Sequence, residues 1–189
     1  MATDPTTLSE LLEFIRNRPQ RDIGLVCVDG PAGSGKTTLA AQIARELHAQ
    51  TIHMDDLYEG WEGIAQGAHN LNKWILEPLA AGRDGEYQRY DWHLGEFAER
   101  HRVPRASWLV VEGCTSATRL VDKHDPFIIW VEADDETRLD RGLERDGEHL
   151  RDHWLTFMDT EARIYAENAT RDRAHIHLDG FGQITARSM

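Results

Sequence analysis

Apolar residues along this chain change period several times. Residues 6–17, TTLSELLEFIRN, place Leu8, Leu11, Leu12 and Ile15 on one face of a helix, with Thr6 or Thr7 as its cap. Arg18, Pro19 and Gln20 read as the break after it. Ile23, Leu25, Val26, Cys27 and Val28 then form a continuous apolar run, which predicts a strand buried on both faces. Leu39, Ile43 and Leu47 recur at every fourth residue beside Ala40 and Ala44, which predicts a helix with one apolar face. A short strand at 51–54 follows, and then a helix at 68–81 that turns Leu71, Trp74, Ile75 and Leu79 inward. Gly82-Arg83-Asp84-Gly85 is a turn, and 86–92 is extended or irregular. Strands at 108–111 and 127–131, helices at 134–145 and 149–168, and a strand at 174–178 complete the pattern. Strands that alternate with helices predict a mostly parallel sheet covered on both faces. Ligands of such sheets sit beyond the carboxyl ends of the strands.

The stretch between the first strand and the second helix carries the strongest chemical signal. Gly30-Pro31-Ala32-Gly33-Ser34-Gly35-Lys36-Thr37 fits the phosphate-binding P-loop pattern, with a strand before it and a helix after it. Glycines let such a loop curl its backbone N–H groups toward phosphate oxygens. The helix start adds unpaired N–H groups and a partial positive charge. This predicts a nucleotide site from Gly30, Ala32, Gly33, Ser34, Gly35, Lys36, Thr37 and Thr38, with Lys36 on the terminal phosphates and the Thr37 hydroxyl on Mg²⁺.

Composition narrows the reading. The chain has 189 residues and a formal net charge of -12, from 33 acidic and 21 basic residues. That size suits one α/β domain. The acidic balance argues against a nucleic-acid surface. The cysteines, Cys27 and Cys114, fall in or beside strands, as buried thiols of a reducing compartment do. No signal peptide or membrane-length apolar run is visible, so the expectation is a cytoplasmic protein without a membrane partner. The histidines show no metal-ligand spacing. The Asn-Lys-x-Asp stretch of guanine-specific switches and the Leu-Ser-Gly-Gly-like signature of transporter ATPases are missing, and Glu112 rather than an Asp ends the strand at 108–111. A small kinase with an acceptor pocket is what remains.

The order of motifs resembles the uridine kinase and phosphoribulokinase group of P-loop kinases. The resemblance rests on DGPAGSGKTTLA (29–40), HMDDLYEGW (53–61), YDWHLGEF (90–97), VVEGCTS (110–116), WVEADDETRLDRGLERDG (130–147) and TRDRAHIHLDG (170–180). It implies a nucleoside monophosphate kinase-like α/β/α sandwich with a five-stranded, mostly parallel sheet and a short helical lid. It also implies one domain over 1–189, a substrate-side insertion at about 57–105 and a lid at about 138–150. The implied reaction is transfer of a phosphoryl group from ATP, with Mg²⁺, to a hydroxyl of a small molecule such as a nucleoside. A sugar-like alcohol, a P-loop hydrolase and a non-catalytic ATP-binding module stay open as alternatives, as does assembly into a homo-oligomer.

Residue by residue, the resemblance makes Asp55 the general base, while Asp56 takes the variable place. A carboxylate at the end of a short strand can accept the proton of an attacking hydroxyl or cap a helix. Tyr58 either stacks on the acceptor or packs the rim. Tyr90, Asp91 and His93 match the substrate-side motif, and Glu112 serves either the metal or the acceptor. Arg119 lies within reach of the same rim. Arg138, Arg141 and Arg145 share a helical stripe and match the arginines of the family's lid, and Arg173 matches the approach to the adenine. The departures are a lid without the Arg-Gly-Arg continuation and a compact, tryptophan-rich stretch at 60–104, where relatives carry a longer insertion with a β-hairpin.

Overall fold

In a computed structural model that describes residues 3–19 and 22–187, every residue of the first apolar strand is buried. Helix α1 (Pro5–Asn17) precedes it and is capped by Asp4, whose carboxylate accepts from the Thr6 and Thr7 amides. The cap is therefore two or three residues earlier than Thr6 or Thr7. Gln20, part of the expected break, lies outside the described residues. Strand β1 (Gly24–Asp29) runs into the glycine turn and α2 (Lys36–Leu47), then β2 (Gln50–His53). Helix α3 (Ile64–Asn70) continues through a π-helical turn, Leu71–Leu76, into the short α4 (Glu77–Ala80). Strands β3 (Gly85–Asp91) and β4 (Glu96–Val103) follow, and β5 (Trp108–Glu112) and β6 (Phe127–Glu132) return to the core. Helix α5 (Asp135–Asp146), capped by Asp134, leads to α6 (Arg151–Asn168), α7 (Thr170–Arg173), β7 (Ile176–Asp179) and β8 (Ile184–Arg187).

The main sheet has the order β2-β5-β1-β6-β7-β8. Neighbours from β2 to β7 pair in parallel, and β8 pairs antiparallel to β7. The five expected parallel strands are all present, and the sheet gains a sixth, antiparallel strand at its edge. Alternation along each strand explains the layers. Leu25, Cys27, Leu109, Val111, Ile128 and Trp130 face one core with α3 and α6. Val26, Val28, Val110, Ile129 and Val131 face the other, with α1 and α2.

Two expectations need correction. The segment at 86–92 takes the extended of its two expected forms, as β3, but it is not part of a hairpin-free insertion: β3 and β4 form a two-stranded antiparallel ribbon separate from the main sheet. The hairpin that the compact 60–104 stretch was expected to lack is there. The last strand is also not the end of the sheet, because the 180–182 turn sends the chain back as β8.

Candidate active site

The glycine turn is held from three sides. Gly30 has a φ of 137°, and a Cβ there would lie 2.0 Å from the Val131 carbonyl oxygen, so only glycine lets the chain pass β6 this closely. Beneath it, the fully buried Asp29 carboxylate accepts from the Gly30, Thr115 and Ala117 amides at 2.7–3.0 Å. The Tyr165 hydroxyl of α6 bridges Asp29 and the Gly30 carbonyl at 2.9 and 2.7 Å. Burial pushes the Asp29 carboxyl up to about 6, against the pull of these donors and of Lys36. On the side of α5 and α6, Arg138 and Glu161 form a buried pair at 2.7 Å. The Glu161 carboxylate accepts the Ala32 amide at 2.8 Å, and Arg138 donates to the Ala32 carbonyl at 3.0 Å. Lys36 is buried and donates to the Pro31 carbonyl at 2.8 Å. Burial works to lower its pKa, but the anionic groups around it, Glu112, Glu161 and Asp29 among them, outweigh that and keep it above the usual lysine value.

Parallel pairing aligns the ends of β2 and β5 beside this turn. The Thr37 hydroxyl stands 3.3 Å from both oxygens of Glu112. The Glu112 Oε1 atom also meets His53 Nδ1 at 2.6 Å. Asp55 follows β2 in a short 3₁₀ turn, Met54–Asp56, and its side chain opens onto the water of the cleft although protein surrounds it on most sides. That burial raises the Asp55 pKa, Glu112 raises it further, and Lys36 and Arg145 pull it back. Asp56 accepts from the Tyr87 hydroxyl at 3.3 Å, beside the hairpin. Tyr58 is buried and donates its hydroxyl to the Cys114 carbonyl.

These groups open into a cleft of about 930 Å³. Its inner end is lined by the glycine turn, Lys36, Thr37, Asp55 and Glu112, and its α5 side by Arg141 and Arg145. Trp61, Trp92, Trp154 and Phe157 wall the rest, together with Tyr58 and His93. Trp61 makes edge contacts with Trp92, Trp154 and Phe157 at centroid separations of 5.6–6.2 Å. Gly142 of α5 admits Trp154 into this wall, since a Cβ there would lie 2.4 Å from the indole. Arg145 pairs with Asp146 at 2.7 Å and lies over Trp154. Arg141 donates to the Gly33 carbonyl at 3.1 Å. It also lines a second cavity of about 310 Å³, between Ser34, Gly35 and the loop Asp179-Gly180-Phe181-Gly182. The Ser34 hydroxyl is buried there without a hydrogen-bond partner.

The structure thus gathers Ala32, Gly33, Gly35, Lys36, Thr37, Asp55, Tyr58, His93, Glu112, Arg141 and Arg145 on one cleft. Other residues singled out in the sequence go elsewhere. Thr38 is exposed on α2. Tyr90 is buried between Trp92 and Phe97 in the hairpin. Asp91 accepts the His93 and Leu94 amides and pairs with Arg89, so its carboxylate builds the hairpin turn. Arg119 is exposed, with its amide on Asn168. Arg138 turns its fork to Glu161, Asp135 and Ala32 instead of the cleft. Arg173 precedes β7 and is tied to the Ala117 and Asn168 carbonyls and to Asp122. Sequence reasoning missed Asp29, His53, Glu161 and the loop after β7. The rule of strand carboxyl ends points at Asp29, His53 and Asp179-Gly180 as it does at Glu112, whereas Glu161, in mid-helix, had no such signal.

Comparison with known proteins agrees with this geometry. Residues 26–166 match the family described as an AAA domain. Cytidylate kinase of Halobacterium salinarum is 26% identical over 142 residues, covering 66% of this chain and 71% of that protein. A possible uridine kinase from Bacillus stearothermophilus superposes with a TM-score of 0.69 at 17% identity, over 92% of this chain and 98% of the other. A candidate fructose transport system kinase from Silicibacter sp. TM1040 has a TM-score of 0.54 at 20% identity, over 85% and 94% of the two chains. The fold is the P-loop kinase fold. Among the described residues, no helix is long and apolar enough to cross a membrane.

Proposed function

The chain belongs to the AAA-domain family, and from that premise we propose that it is an ATP-dependent kinase of a small, uncharged, ring-bearing alcohol, a nucleoside in the first instance. The observation that carries this reading is the division of the cleft. Its lining cations, Lys36, Arg141 and Arg145, stand with the glycine turn and the lid, where ATP phosphates belong, and the remaining wall is aromatic. An acceptor that already carried a phosphate needs a cationic partner of its own, and Arg145, which reaches the aromatic half over Trp154, is already paired with Asp146. Flat rings of a nucleoside suit indole and phenyl walls.

The residues divide the work as follows. Gly30 and Ala32 have their amides engaged by Asp29 and Glu161, so the cradle falls to Gly33, Gly35, Lys36 and Thr37. The smaller cavity beside Ser34 takes the nucleoside end of ATP. The Thr37 hydroxyl and the Glu112 carboxylate are hard oxygen donors and fit Mg²⁺, which takes few protein ligands and leaves the rest to phosphate and water. When bound, Mg²⁺ neutralises charge on the phosphates. Asp55 holds the acceptor hydroxyl and takes its proton, and its raised pKa suits a base. Arg141 and Arg145 place positive charge against the transferring group as the lid excludes water.

The test is a screen of the purified protein with Mg-ATP against nucleosides, nucleoside monophosphates and sugar alcohols, with product read by mass. The expected result is a phosphorylated nucleoside, and about 10²–10³-fold slower transfer by folded Lys36→Ala. Turnover of monophosphates in preference to nucleosides would refute the uncharged acceptor.

A further inference from the structure

We infer that His53 is a positioning residue, one that holds the Glu112 carboxylate in the orientation required for Mg²⁺. The inference rests on the reading of Thr37 and Glu112 as the metal-side pair. Parallel register sets His53 of β2 directly beside Glu112 of β5. The two side chains meet at 2.6 Å, Nδ1 to Oε1. A carboxylate only accepts hydrogen bonds, so Nδ1 is the donor. A contact this short to a charged acceptor belongs to the strong class.

The placement of the imidazole matters as much as the distance. Thr37, Asp55 and Glu112 line the cleft, whereas His53 is not among its lining residues. The ring therefore reaches Glu112 from outside the cleft, with its side chain 46% exposed against 7% for Glu112. A glutamate has three rotatable bonds, and a free one at a strand end samples several rotamers. His53 binds Oε1 at 2.6 Å, while the Thr37 hydroxyl faces both carboxylate oxygens at 3.3 Å, so Oε2 has Thr37 alone. The donor set of hydroxyl and carboxylate is then preorganised from behind, without a histidine entering the metal's own shell. Histidine and carboxylate commonly make such outer-shell pairs, and their loss typically weakens metal binding by about 10–100-fold. Nothing in the local sequence announces the contact: His53 alternates with the buried Ile52 as an ordinary solvent-side strand residue.

The experiment measures binding, not turnover. Mn²⁺ serves as a paramagnetic stand-in for Mg²⁺ and is titrated by electron paramagnetic resonance into protein saturated with ADP. Wild type, His53→Ala, His53→Asn and Glu112→Gln are compared, with folding checked by circular dichroism. Asparagine places an N–H donor close to the position of Nδ1. The expected result is Mn²⁺ affinity reduced about tenfold or more in His53→Ala, metal-free ADP affinity unchanged, and most of the loss recovered in His53→Asn. Wild-type Mn²⁺ affinity in His53→Ala, with Glu112→Gln impaired, overturns the inference and leaves the metal-side reading standing. Equal affinity in wild type and Glu112→Gln overturns the metal-side reading itself, and the inference with it.

Discussion

Glu161→Leu should be among the most damaging single changes outside the cleft. Glu161 is 1% exposed and Arg138 is 5% exposed, and their contact at 2.7 Å sits against the glycine turn. Removing the carboxylate strands the guanidinium, whose Nε already lacks a partner, and orphans the Ala32 amide. Breaking a buried ion pair from one side costs about 3–5 kcal/mol. An unmet buried amide alone costs about 1–3 kcal/mol. The two overlap here, because Arg138 keeps Asp135 and the Ala32 carbonyl as partners. A loss of about 3–5 kcal/mol is therefore expected, a large share of the ~5–15 kcal/mol that holds a domain together.

The double variant Arg138→Met, Glu161→Leu separates pairing from packing. Apolar groups of similar volume can replace a buried pair at little net cost. What remains is mainly the two unmet groups of Ala32, so the double variant should be more stable than Glu161→Leu alone. Urea denaturation followed by tryptophan fluorescence and circular dichroism gives all the corners of the cycle. If the losses simply add, so that the double variant is the least stable of the set, Arg138 and Glu161 do not act as a unit and the described clamp on the turn is wrong.

Other consequences follow from the same geometry. Asp55→Asn removes the proton acceptor but keeps the shape, so acceptor affinity by calorimetry should hold while transfer falls by about 10²-fold or more. Asp91→Ala should leave the acceptor KM unchanged and speed amide exchange at residues 92–95, because its carboxylate caps the hairpin turn; a raised KM with unchanged exchange would return Asp91 to the acceptor site. Asp29 binds its proton more tightly folded than unfolded, since burial raises it to about 6. Its contribution to stability is full below about pH 4, the ordinary carboxylate range, and is lost as pH rises through about 6. The stability difference between wild type and Asp29→Asn should therefore shrink by about 3 kcal/mol across that window, an order-of-magnitude figure, and a difference that grows with pH would refute it.

The parts legible in the sequence share one property: their signal is local. The glycine turn, the buried strand before it and the amphipathic helix after it lie within consecutive residues, and period alone separates them. The hairpin was not legible for the opposite reason. Strand β4 carries Glu96, Glu99, Arg100 and Arg102, which look solvated one by one and make sense only across the ribbon, where Arg89 meets Glu99 and Arg100 meets Glu86. Glu161 was hidden in the same way. On α6 it reads as one charge on a polar surface, and only the packing of α6 against the turn makes it a buried partner.

The arginine stripe shows how one local signal divides once it folds. Arg138, Arg141 and Arg145 do share a face of α5, as their spacing requires, but they meet different partners. Along a helix rising 1.5 Å per residue, Arg138 and Arg145 stand about 10 Å apart. At the near end Arg138 sinks into the protein and fastens Ala32. At the middle Arg141 bridges the Gly33 carbonyl and the loop after β7, between the two cavities. At the far end Arg145 is 66% exposed, held by its neighbour Asp146 and the Trp154 ring. Mobility should follow the same gradient, because a buried paired guanidinium cannot leave without stranding its partner, whereas an exposed pair exchanges with water at little cost. Under the proposed kinase reaction, the root of α5 would serve as a fixed post for the P-loop, and closure over a bound phosphate would fall to its carboxyl-terminal turn. A stripe read as one function thus divides into anchor, bridge and exposed tip, and depth of burial, which periodicity does not encode, makes the division.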